Sequence, residues 1–178
     1  MPLPKEQLYT KITFLYTKEE YVKAVQKYLF MSKIITPFSI VFMTILLAGS
    51  IIYYMTKGSG AFSALFITVS ALYSCIFLAM YFFQPGFVFK QTEKFHEQYQ
   101  LSFYLNAIDF QTPSISSKLE WKMYHKLWEN NDFFYLIQNK NIYTVLPKRA
   151  FTTSQDIDTF RDMAREAKPP MQYKRFDI

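Results

Sequence analysis

Charge is absent from the middle of this chain. No Asp, Glu, Lys or Arg occurs between Lys33 and Lys57, or between Lys57 and Lys90. Proton relays, ion pathways and charged-substrate sites need ionisable groups at membrane depth, so the gap argues against a stand-alone transporter or pump. Cysteine occurs once, at Cys75. That leaves no disulfide framework and no thiolate metal site, and marks Cys75 as a packing residue. Histidine occurs twice, at His96 and His125, in different expected elements and without HExxH or Cys/His spacing, so no metal is expected. The four glycines, Gly49, Gly58, Gly60 and Gly86, all lie in or beside the apolar stretch. No phosphate-cradling loop and no nucleophile elbow is present, and no cofactor is expected.

What is there begins with two uncharged runs. Ile34 to Thr56 is 23 residues, which at about 1.5 Å per residue reaches about 34 Å, enough to cross a hydrocarbon core of about 30 Å. Gly58 to Phe89 is 32 residues, with its apolar heart at Ala61 to Phe83. In lipid every backbone amide must be satisfied within the segment, so both runs are expected to be helical. The spans are placed at about residues 34–56 and 61–83, joined by the turn Lys57-Gly58-Ser59-Gly60. A mean hydropathy of −0.02 for the whole chain averages this very apolar third with a polar remainder.

The net charge of +6 divides as +3 up to Lys33, +1 at Lys57 and +2 from Lys90 onward. No basic cluster interleaved with aromatics suggests nucleic acid. Lys18, Lys23, Lys27 and Lys33 precede the first span, Lys90 and Lys94 follow the second, and Lys57 sits alone in the turn. The positive-inside rule then predicts a multi-pass protein of the cytoplasmic (inner) membrane with both termini cytoplasmic. The first 33 residues have no continuous apolar run, so no cleavable signal peptide is expected.

Pro37 suits the first turn of a helix. Tyr53 and Tyr54 suit the outer interface, and Tyr81, Phe82 and Phe83 the inner one. Ala64, Thr68, Ala71 and Cys75 recur on one narrow face of small residues, with Thr44 and Ala48 as a smaller pair on the first span. Two partners fit that face: the neighbouring span, or a second copy in a homo-oligomer.

Tyr9 to Tyr16 alternates and reads as a strand with Ile12, Phe14 and Tyr16 on one face. Thr17 and Glu20 then form a capping box for a helix to about Phe30. That helix either lies along the membrane surface or packs on the soluble domain. A lone strand needs a sheet, and the only other β-rich region follows Leu101. The soluble domain is therefore expected to be split, with residues 1–33 as its first part and the hairpin inserted. Pro85-Gly86 predicts a break or kink just past the second span, and residues 84–100 a juxtamembrane linker.

From Leu101 the period becomes two. Strands are expected at 101–105, 108–112, 116–121, 126–129, 133–138 and 142–146, with turns at Asn130-Asn131-Asp132 and Asn139-Lys140-Asn141. Thr153 or Ser154 caps a final helix over 153–167, with Ile157, Phe160, Ala164 and Ala167 on its apolar stripe and Pro169-Pro170 at its end. The fold class is thus membrane α+β: a two-helix hairpin inserted in a small antiparallel β domain, a pleckstrin-homology-like (PH-like) half-barrel, with a C-terminal capping helix.

The run from Leu119 to Phe151, with Trp121, Phe133, Tyr135, Pro147, Lys148, Arg149 and Phe151, resembles the C-terminal signature of YcxB-like bacterial membrane proteins. The strand, the Thr-x-x-Glu helix start and the two spans fit the same layout, so the resemblance covers nearly the whole chain. It departs at Met123-Tyr124-His125, where a polar turn is expected. The resemblance implies architecture and carries over no catalytic residues.

The candidate interaction surface is Trp121, Lys148 and Arg149. Arg149 and Lys148 suit anionic lipid heads or an acidic partner; otherwise they hold the hairpin end to Asp156 or Asp158. Trp121 is either core or ligand-binding. Asp156, Asp158, Asp162 and Glu166 read as a helix start and a solvated face. The expected function is a non-enzymatic membrane protein displaying a cytoplasmic interaction or regulatory domain. The lipid bilayer, an anionic lipid, a protein and a second copy are its expected partners. The alternatives are an accessory or protective membrane subunit, for export or resistance to a membrane-active peptide, and, third, an enzyme.

Overall fold

Leu8–Phe14 (β1) buries alternate residues, Ile12 and Phe14 among them, with Tyr16 following on the same side. The sheet it needs is supplied from far along the chain. β1 pairs antiparallel with Tyr99–Tyr104 (β2), Ile12 opposite Leu101 and Phe14 opposite Tyr99. Ala107–Gln111 (β3) and Ser116–Glu120 (β4) complete an antiparallel sheet in the order β1-β2-β3-β4. The expected split of the β domain is present in this pairing.

The computed structural model describes residues 8–58, 60–167 and 170–178. Ser59 of the expected turn and Pro169 of the expected helix end lie outside the described residues. The chain forms two compact units: one runs up to Thr17 and resumes at Thr92, and the other is Lys18–Gln91.

In the β unit a second sheet has the order β7-β6-β5-β8, with Lys126–Glu129 (β5), Phe133–Ile137 (β6), Tyr143–Pro147 (β7) and Gln172–Arg175 (β8). The strands of the expected antiparallel domain divide into two four-stranded sheets, and β8, absent from the sequence reading, pairs parallel with β5. Both expected turns form for the expected reason. Asn130 Oδ1 accepts from the Asp132 and Phe133 amides (2.9 and 2.8 Å), and Asn139 Oδ1 from those of Asn141 and Ile142 (2.9 and 3.0 Å).

All five residues of β6 are buried, because it is covered on both faces. Ser154–Glu166 (α5) supplies one cover. Thr153 caps it in a reciprocal pair with Asp156. Its fully buried Phe160 meets Phe103 of the first sheet (4.8 Å between centroids) and Phe134 of the second (4.9 Å). A single aromatic ring thus joins both sheets to the helix.

The helical unit contains Lys18–Met31 (α1), Pro37–Lys57 (α2), Ala61–Leu78 (α3), a π-helical turn at Ala79–Phe83, and Gln84–Gln91 (α4). α2 and the continuous helix Ala61–Gln91 are each long and apolar enough to cross a membrane. Thr36 caps α2 in a reciprocal pair with Ser39, and Pro37 follows in the first turn as expected. Tyr53 packs edge-on against Phe62 at 5.8 Å, tying the two long helices together near their turn. One expectation is corrected here, that α1 is part of the soluble domain. The unit begins at Lys18, so α1 belongs with the apolar helices and not with the strands. It runs antiparallel to α4, with Phe30 against Tyr81 (5.8 Å) and Tyr21 against Phe89 (5.5 Å), because its apolar stripe finds cover there.

The break expected at Pro85-Gly86 is also absent. In an uninterrupted helix the Tyr81 carbonyl would accept from the amide of residue 85, which in proline has no hydrogen. The π-helical turn absorbs the misfit, with the Gln84 amide donating to Ala79. Gln26 Nε2 donates to the Tyr81 carbonyl at 3.2 Å, from α1. Gly86 then lets the Lys18 stem pass, since a Cβ there would stand 3.3 Å from Lys18 Cε.

Gln26→Leu should therefore lower stability by about 1 kcal/mol by leaving that carbonyl without its donor. Pro85→Ala should shrink the cost by restoring an amide hydrogen. A double-mutant thermal-unfolding cycle measures the coupling, and strict additivity of the two changes would remove this account.

Candidate functional site

β5 alternates, and its inward positions are Leu127 and Glu129. Glu129 is fully buried. A charge taken out of water is tolerated only with full pairing, and here four bonds converge on it. Its Oε1 accepts from Lys148 Nζ at 2.7 Å and from Arg161 Nη2 at 2.8 Å. Its Oε2 accepts from Arg161 Nε at 2.8 Å and from the Tyr173 hydroxyl at 2.7 Å. Arg161 also pairs with Asp158. The cluster therefore ties β5, the end of β7, α5 and β8 to one carboxylate.

The electrostatics follow from this geometry. Burial alone raises the Glu129 carboxyl, but the hydrogen bonds from Arg161, Lys148 and Tyr173 outweigh it and hold it at about 2, below the usual 4.5. Burial and the bond to Glu129 push the Tyr173 hydroxyl up. The Glu129 carboxylate holds the Arg161 guanidinium up as well. A carboxylate offers about four lone-pair sites, and all are filled. Glu129 has no acceptor left for a substrate and no proton to give near neutral pH. Its chemistry is that of a clasp. Among the described residues, no buried side-chain nitrogen or oxygen lacks a partner, and no three metal-ligating side chains are grouped.

The three residues singled out from the sequence separate. Trp121 is core: it is 1% exposed, its Nε1 donates to the Tyr104 carbonyl at 2.9 Å, and it stacks near Phe103. Lys148 is committed to Glu129 and lies over the Phe134 ring at 5.0 Å. The expected tie of this hairpin end to Asp156 or Asp158 gives way to Glu129, because Asp156 caps α5 and Asp158 pairs with Arg161. Arg149 is exposed, and its Nη2 donates to the Leu15 carbonyl at 2.9 Å. Beside it the Tyr16 hydroxyl donates to the Val145 carbonyl. Lys148-Arg149 thus closes the second sheet inward with one side chain and holds the end of β1 with the other.

The face Ala64, Thr68, Ala71 and Cys75 is not the one that meets α2. The buried residues of α3 are Ser63, Ser70 and Ser74, and that of α2 is Ser50. Serines are as small as the expected residues, and their hydroxyls are satisfied locally: Ser70 donates to Phe66 and Ser74 to Ser70. Ala64, Thr68 and Cys75 are exposed and Ala71 is half-buried.

Sequence reading passed over Glu129, Arg161 and Tyr173. One signal was present, since period two places Glu129 on the same face as Leu127, and an acid on an inward face needs a partner. Both histidines are exposed. The expected polar turn at Met123-Tyr124-His125 is apolar because Tyr124 belongs to the core, 1% exposed.

A protein-family model described as YcxB-like protein matches residues 103–164. That stretch holds Trp121, Glu129, Lys148, Arg149 and Arg161. β1, the helical unit and β8 lie outside it, so the match is narrower than the resemblance read over nearly the whole chain. Neither curated proteins nor solved structures contain a match to the chain.

The pH dependence has a definite sign. A carboxyl at about 2 in the folded chain and near 4.5 when unfolded stabilises above pH 4.5, and loses that contribution as the pH falls from 4.5 toward 2. The difference corresponds to about 3 kcal/mol. Glu129→Gln should cost about 3–5 kcal/mol at neutral pH, by leaving Lys148 and Arg161 without their counter-charge. It should also flatten the acid limb of the melting-temperature profile. An unchanged acid limb would show that other carboxylates set it.

Proposed function

We propose that this chain is a non-enzymatic integral membrane protein displaying a small cytoplasmic PH-like interaction or regulatory domain. The observation that carries this is the exposure of the two apolar helices. Only 6% of the apolar window of Pro37–Lys57 is buried, and 17% of that of Ala61–Gln91. A core helix of a soluble protein would be mostly covered; these leave Phe38, Met55, Phe62 and Phe83 more than two-thirds exposed. Lipid is the solvent that makes such surfaces stable.

The PH-like reading rests on element order: a four-stranded antiparallel sheet, then three more antiparallel strands, then one helix. It is a likeness of architecture and assigns no ligand. The non-enzymatic reading rests on the saturated Glu129 cluster and on histidines that belong to different elements. The accessory or protective subunit is the second reading, and the exposed stripe Ala64, Thr68 and Cys75 favours it, as a face for another transmembrane helix.

The test is topological. In a Cys75→Ser background, Ser59→Cys should react with a membrane-impermeant maleimide in intact cells, and a cysteine at Lys140 only after lysis. The protein should also stay in the membrane fraction through alkaline carbonate. Release by carbonate would end the membrane reading, and labelling of Lys140→Cys in intact cells would reverse the orientation.

A further inference from the structure

Lys33 is the one non-glycine with positive φ among the described residues, at φ 60. It forms the turn that ends α1. The Ser32 amide donates to Tyr28 (2.8 Å), that of Lys33 to Phe30 (3.1 Å) and that of Ile35 to Leu29 (3.1 Å). A helix C-terminus of this shape favours glycine, because the left-handed conformation crowds a Cβ. The backbone therefore gives no reason for lysine. Lys33 is exposed, and among the described residues its ammonium has no carboxylate partner. Part of the explanation is a cation at the carbonyl end of α1, whose last turn has no basic residue. Arginine would serve that purpose as well, and a neutral polar residue would not.

Its position adds the rest. The end of α1 carrying Lys33 lies beside Tyr81, through the Phe30 and Gln26 contacts. Apolar α2 starts four residues on, with Phe38 77% exposed. Lys33 thus marks the boundary where the apolar surface begins. Lys90 lies nine residues past Tyr81, about 14 Å along the helix axis. The polar headgroup layer occupies about 5–8 Å on each side of the hydrocarbon core. With the hydrocarbon boundary set at Tyr81, Lys33 would fall within that layer and Lys90 would stand beyond it, about a Debye length out. The helical unit has six lysines against Glu19 and Glu20, and five of the six lie on α1, α4 or the turn after α1. The charge is complementary to an anionic lipid leaflet.

We propose that Lys33 is a contact residue for anionic phospholipid headgroups, held in its left-handed turn because the charge is needed at that depth. Lys90 and Lys18 act from farther out as salt-sensitive attraction. The proposal rests on the membrane reading above and deepens it.

The test uses the full chain in nanodiscs of equal phosphatidylglycerol and phosphatidylcholine, with the retained lipids counted by native mass spectrometry. Wild type should retain phosphatidylglycerol preferentially. Lys33→Gln and Lys33→Gly should each reduce that preference about fivefold, the scale of one lysine at an anionic surface. Lys33→Arg should keep it. Lys33→Gly should do so with an unchanged or raised melting temperature, which separates lost binding from lost folding. Preference unchanged in Lys33→Gln, or lost only in Lys90→Gln, overturns the proposal and leaves the membrane reading intact. Failure of wild type to enter nanodiscs overturns both.

Discussion

The β unit depends on one buried negative charge. Glu129 sits on the inward face of β5 with no solvent access, and removing any of its three partners exposes the others to an unbalanced field. Because Lys148 follows β7, Arg161 stands on α5 and Tyr173 on β8, the charge ties three separate segments to β5. Hydrophobic contacts, with Phe160 between the sheets, supply cohesion without choosing a register. A four-bonded carboxylate has far stricter geometry. Cohesion comes from the aromatic centre and specificity from the acid beside it.

The helical unit is organised by small polar residues instead. Ser50, Ser63, Ser70 and Ser74 line the seam between α2 and α3, where their size lets the helices approach. The hydroxyls of Ser50, Ser70 and Ser74 turn back on their own helices and ask nothing of the partner. Gln26 does reach across, to the Tyr81 carbonyl inside the π-helical turn.

Much of this was legible in the sequence, and what was not has physical reasons. Uncharged runs announced the long helices, because few other structures tolerate such length without charge. Asn130 and Asn139 announced their turns, since an Asx side chain writes its own hydrogen bonds. The lone first strand implied a distant partner, found in β2. β8 was hidden, because Gln-Tyr-Lys-Arg has no apolar alternation and becomes a strand only through β5 and the Glu129 bond. The serine seam between α2 and α3 went unread, because alanine and cysteine drew notice while serine passed as merely polar. The Lys148 partner was misassigned because nearby acids in sequence were weighed and a buried one across the sheet was not. At Pro85 no break occurs, since a π-helical turn and a borrowed amide let the helix continue.

The pairing of β1 with β2 has a consequence in time. Phe14 and Tyr99 face each other across 85 positions of chain, which a ribosome adds in roughly 4–17 s at about 5–20 residues per second. Until then β1 is a strand without a sheet. The helical unit shortens the search once made. Tyr21 and Phe89 lie 5.5 Å apart, so the chain is handed back close to where it departed. A loop of some 80 residues then closes with the entropy of a short one. The inserted helices thus shorten the effective loop that β1 and β2 must close.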